Sequence, residues 1–313
     1  MNKIRTMVIG VGGAGGNIVS SIYDDFGENG VNAEFAVLNT DVQALEVLVE
    51  KRRFKEELNH QIGQRTTSGL GAGSVPEIGE AAAKEDISLV RSLVQDRDLI
   101  MVVAGLGGGT GSGAIPIILH EAKEAGVLTI CWSVIPFEHE GPKRNKIAKK
   151  ALKQVDELAD AYIVISNDAV EDVVFKDAMD HLNLTISNGI ETMLQVLLEP
   201  SLINLDFADF TTVLKGGGRC VFSYAGFDGQ DRPNKVVNEL LRFSLQPSLS
   251  LRKVRQSVIF VRGGIDMRKD EIKVISSTIQ NKLNEDALML LGVSVAEEKQ
   301  ALDAVFFGTV EEK

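Results

Sequence analysis

The chain has 313 residues, of which 44% are hydrophobic and 25% charged, and its formal net charge is −11. This length predicts about two domains with sizeable hydrophobic cores. The acidic balance disfavours nonspecific binding to nucleic acid or to an anionic membrane, since both need a basic surface. The two cysteines lie far apart and the four histidines are scattered, so we predict neither a disulfide framework nor a metal site made of protein side chains.

The N-terminus runs from a short polar start directly into an apolar strand and a glycine turn. It lacks the apolar core and cleavage site of a signal peptide. The longest apolar runs, such as residues 99–106, are far shorter than the ~20 residues that span a bilayer. We therefore expect a cytoplasmic protein that does not insert into the membrane.

In the first two hundred residues, apolar runs of strand length alternate with amphipathic segments of helix length. The predicted strands are 6–12, 34–40, 99–106, 128–137 and 161–167, and the predicted helices are 17–27, 76–96, 115–126 and 146–160. Runs that are apolar throughout indicate strands buried on both faces, and alternation with helices predicts a parallel sheet covered on each side. Functional loops are expected at the carboxyl ends of such strands.

The pattern changes after residue 175. A long apolar segment at 176–200 predicts a central helix that ends at Pro200 and is buried between two bodies of structure. Four further strands are predicted at 219–227, 256–264, 287–295 and 303–310, with helices at 233–245 and 268–286. We therefore divide the chain into a first domain over 1–175, the central helix at 176–200, an acidic loop with its following segment at 201–215, and a smaller C-terminal sheet domain over 216–313.

Three glycine-rich loops, 10–17, 68–79 and 105–113, each precede a predicted helix. At one edge of a sheet, their backbone N–H groups and helix N-termini would surround a polyphosphate. Six glycines between 105 and 113 exceed what a tight turn requires. Pro76 and Pro116 are expected at first helical positions, because the N–H group that proline lacks would be unpaired there anyway.

The kind of nucleotide is narrowed by what these loops lack. Residues 10–15 match GxGxxG, but the first acidic residue after the second strand, Asp41, follows Gly10 by about 30 positions instead of the ~20 typical of a nicotinamide site. No loop carries the lysine of a P-loop. The phosphate charge would then be met by backbone dipoles and a magnesium ion. Asp41 could hold that ion through water or cap the following helix, and the spacing leaves both roles open.

Six motifs occur in order along the chain: GVGGAGGN, NTDVQAL, GLGAGSVPEIG, GGGTGSGAIP, PFEHEGPKR and NLDFAD. With them the sequence resembles the FtsZ family, the prokaryotic relatives of tubulin, over essentially its whole length. The resemblance implies an α/β tubulin/FtsZ-like fold: a Rossmann-like parallel-sheet GTPase domain over 1–175, the long central helix and a smaller C-terminal α+β sheet domain.

The resemblance also implies a function. It indicates a cytoplasmic protein that binds GTP or GDP with Mg²⁺, hydrolyses GTP, polymerises head to tail and forms the cell division ring. Two alternatives remain at this point. One is a tubulin-like filament protein with little turnover or with a role other than division, and the other is a nicotinamide oxidoreductase.

The resemblance assigns residues of every motif to the nucleotide. The first loop would bind it, and Asn17 would also reach the guanine. The 71–73 loop would approach the γ-phosphate, and the 108–111 loop would hold the α- and β-phosphates. Glu140 and Arg144 would contact ribose and phosphate, although a solvated charged turn explains them equally well without the resemblance. The full set is Gly13, Ala14, Gly15, Gly16, Asn17, Asp41, Gly71, Ala72, Gly73, Gly108, Gly109, Thr110, Gly111, Glu140, Arg144, Asn167 and Asn183, the last two facing the base.

Catalysis is assigned to Asn204, Asp206 and Asp209 of NLDFAD. Two carboxylates and an amide on one short loop can orient and polarise a water for attack on a γ-phosphate, although the same residue types also cap helices and turns. In the family that the chain resembles, this loop reaches the nucleotide of the next subunit, so hydrolysis is coupled to assembly. Repeated head-to-tail contacts need not close into a ring, so they naturally produce a filament.

Two departures from the family pattern stand out. Met179 falls where relatives often stack an aromatic ring on the guanine, and the stretch 167–183 looks shorter than usual. The sequence also ends at Lys313 without a linker and tail. We therefore expect division-ring regulators as possible partners, but no membrane adaptor recruited through a tail of this chain.

Overall fold

The structure is a computed structural model that describes residues 4–26, 33–52, 54–169, 175–198, 202–203, 205–242, 251–297 and 299–310. Its internal contacts divide the chain into two compact units, Met1–Asp168 and Ala169–Lys313.

The first unit is built on six parallel strands. They are β1 (Thr6–Val11), β2 (Ala33–Asn39), β3 (Asn59–Gln61), β4 (Leu99–Gly105), β5 (Leu128–Ile135) and β6 (Ala161–Ser166). Their order is β3-β2-β1-β4-β5-β6, parallel throughout. The order reverses between β1 and β4, which creates the crevice where doubly wound sheets bind ligands. The predicted parallel sheet is confirmed, and β3 is a short edge strand that the sequence patterns did not indicate.

Within its described residues, the same unit has seven α-helices. They are α1 (Gly12–Phe26), α2 (Val42–Arg52), α3 (Gln64–Thr67), α4 (Pro76–Glu85), α5 (Ile87–Val94), α6 (Thr110–Glu124) and α7 (Pro142–Leu158). Helices α1, α2, α6 and α7 pack on strands that are buried on both faces, as β1 and β4 are, whereas α3, α4 and α5 pack mainly on other helices. The single helix predicted over 76–96 is two helices. Asp86 leaves the helical conformation between them, and its carboxylate accepts a hydrogen bond from the Gly63 N–H at 2.6 Å.

The start of α6 corrects the expectation for one of the two prolines. Pro76 stands at the first turn of α4 as predicted, whereas Pro116 lies inside α6, which already begins at Thr110. Proline in a second turn costs one backbone hydrogen bond. The helix begins earlier because Gly113 lets its backbone pass against α4: a Cβ atom at Gly113 would overlap the carbonyl oxygen of Pro76.

In the described part of the second unit, four α-helices accompany four strands. They are α8 (Phe175–Leu198), α9 (Phe207–Leu214), β7 (Gly218–Phe227), α10 (Arg232–Arg242), β8 (Val254–Gly263), α11 (Lys269–Gln280), β9 (Leu288–Val295) and β10 (Leu302–Val310). The strand order is β7-β10-β8-β9, with β10 antiparallel to both neighbours and β8 parallel to β9. The smaller mixed α+β sheet is therefore confirmed.

The predicted central helix is α8, and it packs on all four strands of this unit. At Gly189 it lies so close to the sheet that a Cβ atom would overlap the ring of Phe222. The contacts thus group α8 and α9 with the C-terminal sheet, while the four-part division of the chain stays a prediction. Cys131 and Cys220 are buried free thiols. Among the described residues, no helix is long and apolar enough to cross a membrane.

A buried ion pair ties α10 to α11. Arg232 and Glu271 form two parallel hydrogen bonds of 2.7 and 3.0 Å, and both residues are at most 9% exposed. The hydrogen bond from Arg232 is the main reason why the pKa of Glu271 is lowered. A carboxyl group with a lowered pKa stabilises the fold fully above its unfolded pKa of about 4.3, and this stability is lost as the pH falls through the folded pKa.

We predict that Glu271→Gln lowers the free energy of unfolding by about 2–3 kcal/mol at pH 7, since it removes the more buried of the two carboxylates, Glu271 and Asp266, that pair with the buried guanidinium of Arg232. The difference from the unsubstituted protein should shrink at pH 4 and below. Urea unfolding at both pH values measures it, with the exposed Glu285→Gln as control. An equal difference at both pH values would show that the ion pair does not titrate as proposed.

Candidate functional site

The three glycine-rich loops meet at the crevice beside the carboxyl ends of β1 and β4. A Cβ atom at Gly12 would lie 3.4 Å from the backbone N of Gly111. One at Gly109 would lie 2.7 Å from the Cβ atom of Ala72 and 2.9 Å from the backbone N of Val75. The fold therefore brings together the loops that the sequence predicted to cooperate.

Each loop also has a glycine that faces open space. Cβ positions at Gly13, Gly73 and Gly108 have no atom within 4 Å. The N-termini of α1, α4 and α6 lie in or next to these loops. At these three positions the backbone is exposed without a side chain. The exposed backbone lies beside three helix N-termini. Such a surface suits the phosphates of a nucleotide.

Of the three loops, the first (10–17), the middle (68–79) and the third (105–113), the middle loop has an unusual backbone. Ser68, Gly69, Gly71, Gly73 and Ser74 all have positive φ angles. Tight turns of this kind can direct backbone N–H groups toward an anion, although the Gly71 N–H already donates to the Thr40 carbonyl at 3.1 Å. The predicted γ-phosphate contacts Gly71, Ala72 and Gly73 lie within this segment.

The position of Asp41 is compatible with both roles that the sequence left open, helix capping and magnesium binding. Its Oδ1 accepts a hydrogen bond from the backbone N of Ala44 at 3.3 Å, so it caps α2. Its Oδ2 lies 3.7 Å from the Cβ position of Gly71, so the same carboxylate also borders the middle loop. Capping is therefore observed, and a water-mediated contact with a magnesium ion stays compatible with this position.

Glu140 and Arg144 form an anchored pair at the start of α7. Their side chains are 2.7 Å apart, and Glu140 also accepts a hydrogen bond from the Phe137 N–H at 2.9 Å. The Cγ atom of Arg144 is 2.9 Å from the Cβ position of Gly107, so the guanidinium stem lies against the 105–113 loop. This turn therefore contacts the 105–113 loop, while the Arg144 side chain stays half exposed to solvent.

Asn167, which follows β6, is 8% exposed. Its Oδ1 atom has no hydrogen-bond partner among the residues that the structure describes. An unpaired buried amide oxygen costs about 1–3 kcal/mol, so such a group calls for an explanation. A ligand N–H donor would supply one. Asn17, on α1, is exposed to solvent.

The remaining predicted residues belong to the second unit. Asp206 caps α9 by accepting a hydrogen bond from the Ala208 N–H at 3.0 Å. Helix capping is the alternative role that the sequence analysis gave for this motif. Asp209 is exposed and makes no hydrogen bond or ion pair within the described part of the chain. Asn204 lies outside the described residues. Asn183 and Met179 are half-buried on α8, and their contacts with the base stay predictions.

Two residues at the crevice were not singled out from the sequence. The hydroxyl of Thr40 lies 2.6 Å from that of Thr110, and the Ser112 hydroxyl accepts a hydrogen bond from the Gly107 N–H at 2.8 Å. Thr40 is part of the motif NTDVQAL and Ser112 is part of GGGTGSG. Their spacing along the chain gave no sign that their side chains hold the loops in place.

Together, the strand order and the three backbone loops define a nucleotide-binding α/β protein that uses no P-loop lysine. The model of the Tubulin/FtsZ family, GTPase domain, matches residues 5–175. The chain is 34% identical to the cell division protein FtsZ of Aquifex aeolicus over 96% of its own length and 81% of that protein. With FtsZ 1 of Archaeoglobus fulgidus it shares 36% identity over 95% and 80% of the two lengths.

The structural comparison agrees. The fold matches the empty FtsZ dimer of M. jannaschii with a TM-score of 0.89 and 29% identity, covering 98% of this chain and 88% of that one. CetZ1 of Haloferax volcanii, at 21% identity and a TM-score of 0.81, shares the fold. The chain belongs to the Tubulin/FtsZ family, and it is a GTPase of the FtsZ cell division type that binds GTP and GDP. The family match does not favour the alternative of a nicotinamide oxidoreductase.

Gly108 faces open space and Gly109 packs against Ala72, and this difference allows a test of the phosphate surface. Gly108→Ala places a methyl group in open space, and we expect the dissociation constant for GDP to rise at least tenfold, about 1.4 kcal/mol, with an unchanged unfolding midpoint. Gly109→Ala is the matched control, since its methyl group would collide with Ala72 and destabilise the fold by about 1–3 kcal/mol. Calorimetric titration and thermal unfolding measure the two effects. Unchanged GDP affinity in Gly108→Ala would remove this loop from the phosphate site.

Proposed function

We propose that the chain is an assembly-dependent GTPase that polymerises head to tail into filaments and forms the division ring at the cytoplasmic division site. In each junction, the acidic loop of one subunit would complete the nucleotide site of the next. The observation that carries this proposal is the exposed carboxylate of Asp209, which no described residue pairs. A charged group left free on the first turn of a helix is available to a neighbouring molecule.

The diphosphate of GTP or GDP would lie on the backbone of the first and third loops. The open positions at Gly13 and Gly108 support this assignment, as do the helix N-termini, which favour negative charge. Arg144 would add a cation from the side of α7, and Glu140 would accept a hydrogen bond from the ribose. The unpaired Oδ1 of Asn167 supports a donor on the base as its partner.

The γ-phosphate would lie against the backbone of the middle loop at 71–73. A magnesium ion fits beside it, because the Asp41 carboxylate borders Gly71 and Mg²⁺ commonly takes its other oxygen ligands from phosphate and water. The ion would neutralise phosphate charge. The chain itself would hold the phosphates in place through backbone donors that need no rearrangement.

Hydrolysis would need a water placed in line with the γ-phosphate. Asp209 of the next subunit would orient and polarise that water, and Asp206 would hold the N-terminus of α9 so that Asp209 points outward. Asn204 would assist, as the sequence predicts. Because phosphoryl transfer depends mostly on positioning and electrostatics, a loop delivered by assembly is enough to switch it on.

Self-association has support from a relative, since an FtsZ of M. jannaschii at 29% identity has been solved as a dimer. A contact between a nucleotide face and an acidic loop joins two different surfaces, and repeating it produces an open filament. GTP would then be part of the subunit interface, and its hydrolysis would weaken the filament.

The test of this proposal is phosphate release with GTP and magnesium over a range of protein concentrations, with light scattering followed in the same samples. Specific activity should be near zero below a threshold concentration and should rise together with scattering. Turnover that is proportional to protein concentration without scattering would mean a site complete in one subunit, and the assembly-dependent mechanism would then be wrong.

Asp209→Ala should leave GTP binding within about twofold, because the proposal places this residue at the nucleotide of the neighbouring subunit, and should lower turnover at least a hundredfold, about 2.7 kcal/mol in the barrier. The matched control is Asp177→Ala, which removes another exposed carboxylate of the same unit. Equilibrium binding and phosphate release give the two numbers. Equal losses of binding and turnover would contradict a role in the neighbouring site.

A further inference from the structure

Thr40 occupies a junction between the loops of the nucleotide site. It follows β2 directly and is fully buried. Its backbone carbonyl and its hydroxyl both form hydrogen bonds, with different loops. The carbonyl bonds to the middle loop and the hydroxyl to the third, so a single residue connects the two.

The carbonyl side holds the middle loop. The Thr40 oxygen accepts one hydrogen bond from the backbone N of Gly71 at 3.1 Å and another from the Thr67 hydroxyl at 3.2 Å. Next to it, the Val42 N–H donates to the Gly69 carbonyl at 3.0 Å. The base of the predicted γ-phosphate loop is therefore fastened to the chain at residues 40–42.

The hydroxyl side holds the third loop. The Thr40 Oγ1 lies 2.6 Å from the Oγ1 of Thr110, the first residue of α6. This hydrogen bond joins residues 70 positions apart. Thr110 stands in the loop assigned to the α- and β-phosphates, so Thr40 spans the distance between the diphosphate loop and the γ-phosphate loop.

We propose that Thr40 is a positioning residue that fixes the spacing between these two loops and thereby sets the preference of the site for a nucleoside triphosphate over a diphosphate. The inference rests on the proposed nucleotide site. A triphosphate must engage the middle and third loops at once, whereas a diphosphate engages the first and third loops without the middle one. If the spacing shifts, the triphosphate therefore loses contacts that the diphosphate never makes.

Thr40→Val cuts only this link, because valine keeps the shape of the side chain and both backbone hydrogen bonds of the carbonyl remain. The dissociation constant for a non-hydrolysable GTP analogue should rise about fivefold, as for the loss of one net hydrogen bond, while that for GDP stays within about twofold. Thr40→Ser keeps the hydroxyl and should restore the preference. Thr129→Val is the matched control, since it removes a buried, hydrogen-bonded hydroxyl near the N-terminal end of β5.

A double-mutant cycle sharpens the test. In a Thr110→Val background the hydrogen bond is already absent, so adding Thr40→Val should not change the ratio of the two dissociation constants further. Additive effects would show that Thr40 acts without its partner and would overturn the proposal. If Thr40→Val does not fold, Thr40→Cys, which replaces the hydroxyl with a weak thiol, is measured in the same way.

Two other results would overturn the inference. Equal weakening of both nucleotides would make Thr40 a purely structural residue, and unchanged values for both would make the hydroxyl pair irrelevant to selectivity. The proposed function fails separately: the unsubstituted protein would then bind neither the GTP analogue nor GDP. Binding is measured below the concentration at which scattering appears, so that assembly does not enter the ratio.

Discussion

The close approach of backbone to backbone at the reversal of strand order is the constraint on which the nucleotide site depends. Gly109 meets Ala72 and Val75 at distances that exclude any side chain, and Gly113 meets the carbonyl of Pro76 in the same way. Glycine loses more conformational entropy on folding than other residues. Here that loss is offset because three loops can share one small crevice.

Several local features follow from this packing. Helix α6 can start at Thr110, with Pro116 in its interior, because its glycine-rich first turns lie directly against α4. Gly13, Gly73 and Gly108 face open space, and the surface there can offer backbone N–H donors instead of cationic side chains. A protein without a P-loop lysine can therefore bind phosphates, provided that its loops are held by buried hydroxyls such as those of Thr40 and Ser112.

In the proposed mechanism the chemistry is divided between the two units, which suits regulation by assembly. The first unit would carry the backbone surface for the phosphates, and the second would carry the acidic segment. Within that segment the two aspartates differ: Asp206 caps α9, whereas Asp209 has no partner among the described residues. A cap fixes the helix, and the fixed helix determines where the free carboxylate points.

The sequence by itself determined the parallel first sheet, the mixed second sheet, the long helix α8 and the family, because strand burial, helix periodicity and motif order are all local properties. It also predicted which loops would hold phosphate. It could not show that Asp41 and Asp206 cap helices, where α6 begins, or that the buried Asn167 oxygen has no partner among the described residues. Those outcomes depend on contacts between distant residues, such as Thr40 and Thr110. Only the tertiary structure decided them, because the neighbours that a side chain meets are set by how the chain packs and not by its spacing.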